Sequence, residues 1–198
     1  MISKLIRARR RFSNANDGIS AVEFALIAPL MAIIYCGSIE LSFMMTLDRK
    51  VTAATATLGD LTARASAIDN DDLSDIFQAT RMVIQPNDIT RAHMRVTSLE
   101  DSGTATQPEV AWSDKCGTAF TDLVAGATVT IPDNLIPSGG TLIMAEIEYP
   151  YNSPIGFMFP NEKPLTDTFY LRPRRVDAIS RDTTGGTTSC GAFTPSAP

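Results

Sequence analysis

Few residues in this 198-residue chain have the types and spacing that catalysis requires. The single histidine, His93, sits beside Met94 and Arg95 in a strand-like run. A Ser-His-Asp triad would also need a presented nucleophile, and no G-x-S-x-G elbow accompanies it, so His93 is read as structural. The sequence contains no P-loop G-x-x-x-x-G-K-[ST], no H-E-x-x-H and no C-x-x-C, which removes the usual signatures of phosphate cradling, zinc hydrolysis and dithiol chemistry. Asp69-Asn70-Asp71-Asp72 is acidic enough to attract calcium. An EF-hand loop starting at Asp69 would, however, need Gly and Glu at its sixth and twelfth positions, where Ser74 and Thr80 stand. No enzyme activity, cofactor or metal is expected.

One carboxylate invites a different chemistry. From Ile19 to Leu47 the only charged residues are Glu23 and Glu40. The uncharged stretches Phe24 to Ile39 and Leu41 to Leu47 together approach the roughly 20 apolar residues of a bilayer-spanning helix. A charged acid at the bilayer centre costs about 2.5 to 3.5 kcal/mol on insertion scales. Glu23 therefore needs either a partner or solvation at headgroup depth. Gly18 immediately precedes Ile19, so cleavage after Gly18 would make Ile19 the first residue and Glu23 the fifth. The run is too long for a secretory signal peptide, and Ala54-Thr55-Ala56 lies well beyond it. Tyr35 before Cys36 speaks against a lipoprotein site, and Cys36 is read as a lipid-facing or packed thiol.

Position by position, the string Gly18-Ile19-Ser20-Ala21-Val22-Glu23-Phe24-Ala25-Leu26-Ile27-Ala28-Pro29-Leu30 resembles the processing site and hydrophobic segment of pilin-like proteins of the tight-adherence (Tad/Flp) pilus system, in particular the TadE-like family. The likeness is strongest from Arg7 to Met45, with a looser one at 125–129 and 148–151. It implies that an aspartic prepilin peptidase cuts between Gly18 and Ile19, and that Glu23, followed by Phe24, serves assembly. Its carboxylate would pair with the α-ammonium of Ile19 on a neighbouring helix, where an unpaired charge is the costly alternative. Pro29 removes one backbone donor and can open the helix locally, which membrane packing tolerates. The long remainder departs from the small, nearly all-helical major pilin. The resemblance thus points to a minor pilin (pseudopilin) or assembly protein that supports the pilus, export and adherence, with other pilin-like and Tad assembly proteins as partners.

These residues must be positioned by the elements around them. Five of the seventeen Lys and Arg residues (Lys4, Arg7, Arg9, Arg10, Arg11) precede residue 12, which orients the N-terminus toward the cytoplasm and places the chain beyond about Leu47 outside. That layout predicts a single-pass protein, and the resemblance implies a bacterial inner membrane with a periplasmic or extracellular C-terminal domain. The overall acidity, with a formal charge of −5, argues against nucleic acid as a partner. Removal of residues 1–18 would leave twelve basic and twenty-one acidic residues, a formal charge of −9.

Met44, Leu47, Val51, Ala54, Leu58, Leu61, Ala65 and Ile68 recur at alternating spacings of three and four. This seam extends the helix to about Ile68, either as a contact for other helices or as a cap on its own domain. Asp69 starts a second helix that Pro86 stops. Strand-like runs follow at 94–99, 109–113, 128–131, 141–149 and 168–176, with turns at 101–104 and 137–140. Ile155 to Pro160 is either an exposed apolar tip or a loop packed under the sheet. The expected fold class is α+β: leader 1–18, transmembrane and assembly helix 19–47, helix extension 48–68, exported α+β domain 69–182 with a mainly antiparallel sheet, and tail 183–198. Cys116 and Cys190, both on the exported side, are either a disulfide or two unrelated thiols. An uncleaved bitopic scaffold with an adhesin-like binding domain is the alternative function.

Overall fold

The computed structural model describes residues 17–104 and 106–183, without the side chains at 17 and 18. It is an α+β fold in which helix α1 (Asp17–Arg64) runs as one 48-residue element, about 72 Å at 1.5 Å per residue. Pro29 lies inside it. The helix stops at Arg64, four residues short of the sequence expectation, because the next helix must be capped. Asp69 takes an extended conformation (φ −97°, ψ −174°) and accepts from the Asp72 N–H, while Asp72 accepts from the Asp69 N–H. This capping box starts α2 (Asn70–Ile84). The connecting residues form β1 (Ala67–Ile68), paired in parallel with β6 (Ser180–Arg181).

The four long strands are β2 (His93–Glu100), β3 (Glu109–Cys116), β4 (Thr141–Tyr151) and β5 (Lys163–Leu171). They form one antiparallel sheet in the order β3-β2-β4-β5. Alternation along β4 divides its side chains between two cores. Ile143, Ala145, Ile147 and Tyr149 face the helices, where they meet Leu47, Val51, Ala54 and Leu58 of α1 and Leu73, Phe77 and Ile84 of α2. Leu142 and Met144 face a smaller cluster with Leu99, Val110 and Ile131.

Two strand expectations shift. The run 128–131 makes only an isolated bridge, Glu109 to Thr128. It lies beside Pro108, which accepts from the Val129 N–H but has no N–H to return. The last long strand begins at Lys163 and ends at Leu171 instead of spanning 168–176, since Pro173 cannot continue the ladder, whereas Pro164 is tolerated on this edge strand.

The heptad seam is consumed within the chain. Val51, Ala54 and Leu58 are at most 1% exposed, and beyond them the buried face moves to Gly59, Thr62 and Ala63 while Leu61 is only half-buried. The partner here is a sheet. A Cβ at Gly59 would stand 2.3 Å from Leu171 Cδ1, so β5 sits directly on the helix backbone.

Candidate assembly site on the N-terminal helix

The first five turns of α1 present apolar side chains on every side. Ile19, Phe24 and Leu26 are 56%, 72% and 74% exposed, and no residue of the most apolar window of this helix is buried. The helix is long and apolar enough to cross a membrane. Gly18 and Ile19 lie in its first turn, where backbone N–H groups have no intrahelical acceptor. Glu23 is four residues beyond Ile19 and on the same face. It is exposed, and none of its oxygens is hydrogen-bonded or ion-paired to a described residue. Phe24 and Pro29 are exposed too. The structure therefore places Ile19, Glu23, Phe24 and Pro29 along one exposed rod and, among the described residues, buries none of them.

Glu40 is the opposite case, and sequence reasoning gave it no role. It is 0% exposed. Its Oε1 accepts from Ser153 Oγ at 2.6 Å and from the Phe157 N–H at 2.7 Å, and its Oε2 accepts from the Met158 N–H at 2.6 Å. The donors converge because the β4–β5 loop turns sharply at Gly156, whose φ of 68° lies in the left-handed region. Ser153 Oγ also accepts from the Gly156 N–H at 3.2 Å. One turn before Glu40, Gly37 is buried, and a Cβ there would be 2.5 Å from Met158 Sδ. Gly37 and Glu40 thus form a seat for the loop, one by leaving space and the other by accepting its N–H groups. The signal was a Gly-x-x-Glu pair on one helix face within an apolar run, read against a distant Ser-Pro-x-Gly turn.

The loop that this seat holds is the exposed apolar tip of the two readings given above. Ile155, Phe157 and Met158 are 47%, 54% and 54% exposed.

The remaining candidates are structural or fall partly outside the described residues. His93 Nδ1 accepts from the Thr118 N–H at 3.2 Å. Cys116 is buried and disulfide-bonded, and its Sγ receives a hydrogen bond from Arg81 Nη2 at 3.1 Å. Cys190 lies outside the described residues, and Cys36 is a free thiol on α1. Among the described residues no group of three His, Cys, Asp or Glu side chains could hold a metal.

No curated protein and no solved structure matches this chain. A family model does: residues 18–58, a stretch that contains both Glu23 and Glu40, match that of the TadE-like protein family.

Proposed function

We propose that the protein is a minor pilin or pilus-assembly protein of a Tad/Flp system, processed between Gly18 and Ile19 by a prepilin peptidase. The observation that carries this reading is Glu23, a carboxylate on the exposed apolar half of α1 that has no partner among the described residues. A charge on such a surface needs headgroup solvation or, within the membrane, a partner. Cleavage creates one, the α-ammonium of Ile19, which on an adjacent copy or another pilin-like helix can pair with Glu23 and set the register between helices. In this reading the basic leader stays cytoplasmic, α1 spans the inner membrane, and the folded α+β domain is exported with Cys116 bridged to Cys190.

The test is intact-mass or N-terminal sequencing of the protein from cells with and without the prepilin peptidase. The expected mature chain starts at Ile19 only when the peptidase is present. An N-terminus at Met1 in both strains overturns the proposal. Glu23→Gln should abolish incorporation into pili while leaving cleavage intact, since the scissile bond is untouched.

A further inference from the structure

Beyond the N-terminal site, we propose that the loop Ser153–Phe159, held on α1 by Gly37 and Glu40, is a second membrane-contact element. It seats in the lipid interface at the C-terminal end of the span and receives a phospholipid in the groove beside it. The inference rests on α1 lying in a bilayer. From Ile19 to Glu40 the helix rises about 32 Å at 1.5 Å per residue, against a hydrocarbon core of about 30 Å. With Ile19 at one edge, the loop emerges at the other. There it exposes Ile155, Phe157 and Met158, which suit the boundary of headgroup and acyl chain.

The groove between Met158 and α1, about 580 Å³, shows the polarity of its occupant. Its wall continues Ile33 and Ile34 of the span, runs along Leu41 and Met45, and ends at Arg49. A mainly apolar groove that also carries the hydroxyls of Ser38, Ser42 and Thr46, the first and last bonded to carbonyls of their own helix, and that ends at one cation matches an acyl chain with a phosphate at its end. Side chains on a helix lean toward its N-terminus, so Arg49 reaches back toward that phosphate. The Glu40 carboxylate does not spoil this surface, because it is enclosed by the loop donors.

The experiment uses the full chain with Cys36→Ser and Phe157→Cys, labelled with the environment-sensitive dye NBD. It is reconstituted in phosphatidylethanolamine and phosphatidylglycerol vesicles, and Leu26→Cys serves as a companion label site. The expected result is loss of most emission to doxyl-labelled lipid at both positions and little loss to aqueous iodide. Lipid quenching at 26 but iodide quenching at 157 overturns the proposal and leaves the membrane span intact. Iodide quenching at both overturns the span itself and the proposal with it. Protection at 157 from both quenchers, dependent on protein density in the vesicle, assigns the groove to a neighbouring chain and overturns the lipid. Glu40→Gln, and independently Gly37→Val, should move the position-157 label from lipid to iodide quenching without changing position 26. Unchanged quenching in whichever variant retains the wild-type circular dichroism spectrum overturns the latch.

Discussion

Glu23 and Glu40 lie seventeen residues apart on one helix, and the chain treats them in opposite ways. Glu40 is surrounded by donors from its own loop, so its charge is satisfied wherever the helix is placed. Glu23 stands on a bare surface. The same division separates the two halves of α1. Before Gly37 no side chain of the helix from Ile19 onward is buried among the described residues, whereas from Leu47 to Ala63 one face is a wall of the main core. A buried polar group with partners specifies local structure, and one without them in an apolar setting specifies a need for something else. The contrast marks the proximal half as the part of the molecule whose packing is left to other chains or lipid.

Mutations can break this comparison. Leu58→Ala, at a position with no exposure, should destabilise the folded domain by about 2 to 5 kcal/mol. Leu26→Ala should leave the same denaturant transition unchanged when the full chain is unfolded in detergent. Equal losses would show that the two halves unfold as one cooperative unit. The proposed disulfide belongs to the distal side. Cys190→Ser should lower stability by roughly 2 to 4 kcal/mol without altering the helicity of the segment before Gly37, as read by segment-resolved hydrogen exchange.

Between the two acids the expected effects are local. Glu40→Gln should strip the exchange protection of the Phe157 and Met158 amides, and Glu23→Gln should leave it untouched. Matching behaviour of the two variants would remove the distinction. The smallest effect concerns a carboxylate in the folded α+β domain. The N–H groups of Gly139 and Gly103 hold the Asp101 carboxyl below its usual range. Its contribution is therefore present above about pH 4, the ordinary aspartate value, and fades as pH falls through the lowered value. The stability gap between wild type and Asp101→Ala should be constant at neutral pH and close on acidification. A gap that widened in acid would contradict these bonds.

Much of this organisation was legible because it is written in local pattern. The apolar run, the Asp69 capping residue, Pro86 after α2 and the alternation in β2 and β4 each act over a few neighbours. What the pattern concealed depends on distant partners. Nothing near Ala67 announces that it pairs with Ser180. The heptad seam has the spacing of a helix contact, yet its partner is a sheet, a choice that Gly59 and Leu171 make together. Glu40 resembled a mere interruption because its donors come from more than one hundred residues later. The assembly residues show the reverse. Glu23 was conspicuous in sequence through its chemistry alone, and the fold adds only that no described residue answers it.

The continuity of α1 from exposed rod to core wall has a mechanical meaning. No loop or linker separates the part suited to lipid from the part that packs beneath β4 and β5. The folded domain cannot swivel independently, and tension applied to it passes into the helix as shear along a side-chain interface, without a slack tether to take up. A machine that extracts such a helix would move the domain by the same distance and with the same rotation, so each step of winding would be displayed at the surface without loss.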